Sequence, residues 1–179
     1  MATEVPRELW LVESFANSVD IETDQDDLES PERFGRWLAD HGFPGVTPGA
    51  GELAFAKGMR GALRDELIDH RTGDARSRLD ECAARIPMRA VFGAGPATLA
   101  PLGAGVDAML GAVLGAMVIA ERDGTWDRLK ICREDTCQRV FFDRSKNQSK
   151  TWCSMQVCGN RNKTRSYRSR RDRPHRSDA

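Results

Sequence analysis

Four of the five cysteines fall near the C-terminus in two pairs with equal gaps: Cys132 and Cys137, then Cys153 and Cys158. Four thiolates in this pattern can close a tetrahedral shell around one Zn²⁺, and a closed shell leaves no open position for water or substrate. Such a site is structural: it folds and orients what surrounds it. A gap of four residues within each pair is long for zinc ligands, but the same gap on both sides of a 15-residue stretch suits one ion gripped by two turns. In a reducing compartment the cysteines read as ligands and not as bridges. The fifth, Cys82, lies on the apolar face of a helical segment and reads as a small buried hydrophobe.

Directly after Cys158 come Gly159, Asn160 and Arg161, followed by Lys163, Arg165, Arg168, Arg170 and Arg171 with Asn162, Thr164 and Tyr167 between them. Arg144, Lys146 and Lys150 add cations to the stretch between the cysteine pairs. Arginine, lysine and asparagine are the side chains that contact phosphates and base edges, so the zinc site reads as a clamp beneath a nucleic-acid-binding surface. Arg161 has a second reading, as a brace paired with an acid such as Asp143. The formal net charge of zero conceals a division. Residues 1–125 hold 12 Lys+Arg against 21 Asp+Glu, and residues 126–179 hold 15 against 6, which gives −9 and +9. That asymmetry implies a basic module for a polyanion joined to an acidic body.

The elements that must position this surface follow from periodicity and punctuation. The segment 9–15 is short and apolar, and its pattern fits either a strand or the first turns of a buried helix. Six carboxylates between Asp20 and Glu29 lack the glycine and terminal Glu spacing of a Ca²⁺ loop, which leaves a solvated acidic loop. Ser30, Pro31 and Glu32 then supply a cap, a first-turn proline and a first-turn acid for a helix carrying Phe34, Trp37 and Leu38. Amphipathic patterns predict further helices over 52–70, 74–86 and 105–122, with a short hairpin between the last two. In the basic module, 129–132 and 139–143 read as paired strands, with the first cysteine pair at their knuckle. The second pair starts a helix from about Ser154.

The predicted architecture is mainly α with a small β-hairpin. A helical domain over 1–125 precedes a four-cysteine zinc module over 126–171 (a hairpin knuckle and a helix) and a disordered tail over 172–179. The apolar fraction of 40% and charged fraction of 30% are those of an ordinary globular chain. The N-terminus lacks a basic segment leading into an apolar core, and the longest apolar run is too short for a bilayer. These features predict a cytoplasmic protein without a membrane partner. His41, His70 and His175 are scattered, and no phosphate loop, nucleophile elbow or metalloprotease motif is present, so no catalytic role is expected. The module should depend on zinc for folding, with chelation unfolding it while sparing the body.

Several of these residues carry a family resemblance. Cys132-x4-Cys137, Phe142-Asp143-Arg144-Ser145, Trp152-Cys153-Ser154-Met155-x-x-Cys158-Gly159-Asn160-Arg161 and Tyr167-x-Arg-x-Arg resemble the CGNR zinc finger. Upstream, Phe15-x-Asn17-Ser18, the acidic loop and the Trp37-Leu38 helix are similar to the ABATE domain. That domain precedes this finger in bacterial proteins described as stress-induced transcription regulators. The resemblance implies zinc on Cys132, Cys137, Cys153 and Cys158, duplex DNA as partner, and a helical regulatory body that senses a small-molecule effector or forms a homodimer. Asn17, a polar residue in an apolar stretch, would line an effector pocket or satisfy backbone groups. RNA binding stays open as an alternative, though Tyr167 and Trp152 are the only stacking platforms, as does a small-molecule-binding protein with a purely structural zinc module.

Overall fold

Apolar residues at helical spacing need a common surface to bury against, and α5, Gly105–Asp123, provides it. The computed structural model describes residues 5–69 and 73–171; the expectations for His70, His175 and the tail lie outside these residues. Val106, Met109, Leu110, Val113, Ala116, Met117 and Ala120 of α5 are buried, whereas Val118, on the opposite side, is 44% exposed. Helix α1, Arg7–Ala16, packs along α5. Its apolar stretch resolves as helix because Leu9, Val12 and Ala16 fall at i, i+3 and i+7 and are buried, while Trp10 projects outward. The acidic loop folds back on itself through two-residue strands β1, Val19–Asp20, and β2, Gln25–Asp26.

Helix α2, Pro31–Asp40, begins as the sequence indicates, with the Ser30 hydroxyl accepting from the Arg33 amide. Phe34, Trp37 and Leu38 enter the core. At its end the His41 ring stacks on Trp37 at 3.8 Å, and its Nδ1 lies 2.7 Å from the Trp37 carbonyl oxygen. The imidazole thus donates to an otherwise orphan C-terminal carbonyl and closes the helix end. Helix α3, Ala50–Asp69, buries Ala56, Met59, Ala62, Leu63 and Leu67 and lies against α4, Gly73–Ala83. Cys82 on α4 packs against the core as a half-buried thiol, and burial pushes its pKa up.

The predicted hairpin forms from β3, Met88–Val91, and β4, Thr98–Pro101, in antiparallel register from Met88 opposite Pro101 to Val91 opposite Thr98. It lies across α5 at two glycines. A Cβ on Gly111 would sit 2.6 Å from Pro101 Cβ and 3.0 Å from Met88 Sδ. Gly124, at φ +76°, closes α5 with a left-handed cap. The chain then makes a single 3₁₀ turn, Trp126–Arg128, whose tryptophan is only 1% exposed. From there it enters β5, Leu129–Ile131, paired antiparallel with β6, Val140–Phe142. Among the described residues no helix is long and apolar enough to cross a membrane.

Two glycines in helix interiors should respond to alanine with opposite signs. Gly58 on α3 has nothing within 4 Å of where an added methyl would sit, so Gly58→Ala should stabilise by about 1 kcal/mol through helix propensity. Gly111→Ala should destabilise by about 1–3 kcal/mol, because the rigid Pro101 ring cannot give way. Urea unfolding of the two variants measures both.

Candidate metal centre and nucleic-acid interface

Strand side chains alternate between faces, and the β5–β6 hairpin uses each face for a different core. Leu129, Ile131, Val140 and Phe142 point into the core of the helical body. Phe141 points the other way and forms a small cluster with Cys132, Cys137, Cys158, Trp152 and Cys153. The zinc module is therefore not a separate globule: its first hairpin is also a wall of the body. The boundary expected at 125/126 falls between α5 and a buried tryptophan, where the packing is continuous.

The knuckle after β5 is set by the backbone. The Cys132 amide donates to Arg139 O at 2.9 Å, the Cys137 amide donates to Glu134 O at 2.8 Å, and Gln138 takes φ +47° to turn the chain back. Of the second cysteine pair, Cys153 precedes and Cys158 lies within one turn of π-helix, Met155–Gly159, capped by the Ser154 side chain. Helix therefore begins next to Ser154, as the sequence suggests, but its first turn is π and regular α-helix, α6, runs from Asn160 to Arg171. The wider turn brings Cys153 and Cys158 together with Sγ atoms 3.7 Å apart, and Cys137 Sγ lies 3.6 Å from Cys153 Sγ.

All four sulfurs lie within 4.8 Å of one another, and none is in a disulfide. A tetrahedral zinc with sulfur at about 2.3 Å sets its ligands about 3.8 Å apart, so the donor set, number and spacing fit Zn²⁺. Without metal, burial and hydrogen bonding to Cys137 push Cys158 up to about 11, and the same causes raise Cys153. Cys132 shifts down: burial opposes this, but the Cys153 and Glu134 amides and neighbouring thiols favour its thiolate. Binding an ion must then expel protons from the tetrad.

The loop 144–150 is built on Asp143, which is fully buried. Its carboxylate accepts from Lys130 Nζ at 2.8 Å, the Ser145 amide at 2.9 Å, the Ser145 hydroxyl at 2.6 Å and the Lys150 amide at 2.9 Å. Burial alone would raise its pKa, but these donors reverse the effect and hold the carboxyl well below the usual range. The anchored loop leaves Arg144, Lys146 and Lys150 exposed. None of the three has a carboxylate within ion-pairing distance among the described residues.

Helix α6 divides its cations. Arg161 is paired, but with Glu22 of the acidic loop at 2.6 Å; the suggested partner Asp143 is occupied by Lys130. Arg165 reaches Glu134, buried in the knuckle, and Asp135. Its hydrogen bond outweighs burial and lowers the Glu134 pKa. Lys163 has no such partner among the described residues and is exposed. Asn160, Thr164, Tyr167 and Arg171 fall at i, i+4, i+7 and i+11, and the first three are exposed along one stripe. Arg168, Arg170 and Arg171 occupy the last turns of the helix.

Asn17 acts on the backbone. Its Nδ2 donates to Val140 O and its Oδ1 accepts from the Val140 amide, both at 2.8 Å, so the side chain pairs with β6 as a neighbouring strand would. Asn17 does border a 130 Å³ depression with Asp20, Glu22 and Arg139, but both ends of its amide are taken. Further ties lie beyond the reach of sequence reasoning. Arg64 of α3 donates to Ala16 O at 2.9 Å and Gln138 O at 3.0 Å, and Arg133 donates to Ile68 O at 2.8 Å. Arg60 makes two bonds to Asp26, at 2.6 and 2.9 Å. The one available signal is the spacing of Arg60 and Arg64, one turn apart beside the apolar stripe.

Two outcomes test this arrangement. Asn17→Ala should cost about 2–3 kcal/mol in urea unfolding, since it strands a buried amide and carbonyl on Val140. Chelation should expose the segment from Asp143 through α6 to protease while 129–142 stay protected by the body. That outcome would place the zinc-dependent boundary inside the module, where the sequence alone puts it at the module's edge.

Comparison with known proteins agrees with both halves. The family model of the CGNR zinc finger matches residues 128–171. The ABATE model, described as "Putative stress-induced transcription regulator", matches residues 10–128. No curated protein matches the chain. The match spans most of the helical body, and the chain belongs to the ABATE family, with a CGNR zinc finger completing its C-terminal side.

Proposed function

We propose that this protein is a zinc-dependent transcription regulator that binds duplex DNA through α6 and the loop 144–150. The observation that carries the reading is the division of cations at the metal centre. A four-cysteine site holds the start of α6, and Arg165 braces it, while Lys163, Tyr167 and the loop cations Arg144, Lys146 and Lys150 stay exposed. Exposed lysines and arginines flanking a helix suit phosphate contact, and a polar stripe of Asn160, Thr164 and Tyr167 suits a groove floor. Zinc would act here as a structural ion on Cys132, Cys137, Cys153 and Cys158, leaving no coordination site for catalysis. Stacking platforms for single strands are sparse, which favours duplex over RNA.

The helical body is the regulatory half of this reading. An effector finds more room between α4 and α5 than beside Asn17, in a 490 Å³ groove bordered by Leu79, Leu114, Met117, Arg76 and Glu121. A finger of this size contacts few base pairs, and a homodimer on two half-sites would supply the remaining specificity.

A mobility shift on the protein's own promoter region at two salt concentrations tests the proposal. Promoter DNA should bind more tightly than random duplex, and each of Lys163→Ala, Lys146→Ala and Lys150→Ala should lower the salt slope by about one unit. Equal affinity for both DNAs with a steep salt slope would sink sequence-specific regulation.

A further inference from the structure

The acidic loop expected to be solvated reaches the far end of the chain. Glu22 Oε1 accepts from Arg161 Nη2 at 2.6 Å, across 139 residues, and Asp20 lies 3.9 Å from Arg139. Arg161 is the first cation after the metal centre, and its other face is open: its side chain is 42% exposed, and that of Glu22 is 45% exposed. Its pKa is raised by this hydrogen bond. A carboxylate on a guanidinium occupies the same donors that a phosphate would use.

The loop is built to let go at one end only. Its base is fixed by the paired Asp26–Arg60 contact and by Leu28, which is fully buried. Its tip, Ile21 to Asp24, is exposed, and the strands flanking it are two residues long. Asp20 keeps the turn closed by accepting from the Glu22 and Thr23 amides at 2.9 and 3.2 Å. The tip can therefore swing off α6 as a unit, with neither the core nor the metal centre disturbed.

We infer that the tip of the acidic loop is an internal competitor for the nucleic-acid backbone, with Glu22 occupying Arg161 until a phosphate displaces it. The inference rests on the DNA-binding reading and adds a regulatory contact to it. Both partners are solvent-exposed, so the restraint is weak and salt-sensitive: it tunes affinity and does not abolish it. Any event that moves the α1–β1 junction, where Asn17 and Ser18 tie the loop's base to β6 and Arg60, would change how well Glu22 reaches Arg161.

The test compares duplex affinity of the full-length zinc-loaded protein with Glu22→Gln and Asp24→Asn. Both variants remove one negative charge from the same tip, but Asp24 makes no ion pair among the described residues, and asparagine suits its φ of +54°. Glu22→Gln should tighten binding about threefold to fivefold at 50 mM salt and less than about twofold at 300 mM, while Asp24→Asn changes it by less than about 1.5-fold. Hydrogen exchange at residues 21–24 should speed up when duplex is added. Equal effects of the two variants, weaker binding by Glu22→Gln, or protection of the tip by DNA would each overturn the gate while leaving DNA binding intact. No binding by any of the three proteins would overturn the DNA reading, and the gate with it.

Discussion

The hairpin β5–β6 has two faces and no spare one, and the rest of the molecule is arranged around that constraint. Four apolar side chains on one face complete the helical body, and Phe141 on the other helps enclose the cysteines. A one-residue slip in register would exchange these sets and put Phe141 in the body and Val140 beside the metal. The structure guards against it from several sides. Asn17 holds both backbone groups of Val140, Arg64 holds the carbonyl of Gln138, and Asp143 ties the end of β6 to Lys130 in the middle of β5. Buried polar ties of this kind add little net stability, but their breakage is costly, so they favour one register over others.

This arrangement changes what zinc does. A metal in an independent finger supplies the folding energy of the whole module. Here the body supplies a large part of the hairpin's apolar burial, and zinc on the four cysteines would close the remainder: the loop after Asp143, the π turn and α6. The ion would fix the direction of a helix whose own sequence has almost no apolar face to pack. Arg165 on Glu134 is the second point of attachment, and it joins α6 to the knuckle that carries the first cysteine pair. Metal and ion pair together would hold a highly charged helix against a surface.

Legibility in the sequence follows the range of each interaction. The cysteine pairs, the Ser30 cap, the β3–β4 hairpin and the helices with clear amphipathic stripes are local patterns, and their positions are found within a few residues of expectation. Segment 9–15 is ambiguous because seven residues cannot separate a buried strand from a buried helix. The π turn is invisible because it depends on how two cysteines meet the other pair. Asn17 with Val140, Arg64 with Gln138 and Glu22 with Arg161 are separated by 123, 74 and 139 residues, and nothing in the local sequence names the partner. For Asn17, a polar amide in an apolar stretch is itself the signal; the structure shows that it is a strand partner for β6.

The −9 and +9 halves of the chain look, as totals, like a body and a reading head that attract each other across their whole surfaces. The contacts are narrower than that. Among the described residues the ion pairs between the acidic body and the basic module run from one loop, through Glu22 to Arg161 and more distantly Asp20 to Arg139, with Glu13 attracting Arg144 and Arg139 at longer range. General attraction between the halves would be screened beyond about 8–10 Å at physiological salt, whereas a direct carboxylate–guanidinium pair acts at contact. The charge division therefore serves two purposes at different ranges. Among the described residues it leaves Arg144, Lys146, Lys150 and Lys163 without an ion-paired body carboxylate, and it places one carboxylate on Arg161, the first cation after the second cysteine pair. To a polyanion at α6, Lys163 and the loop 144–150 would offer uncontested cations, whereas Arg161 already holds a carboxylate.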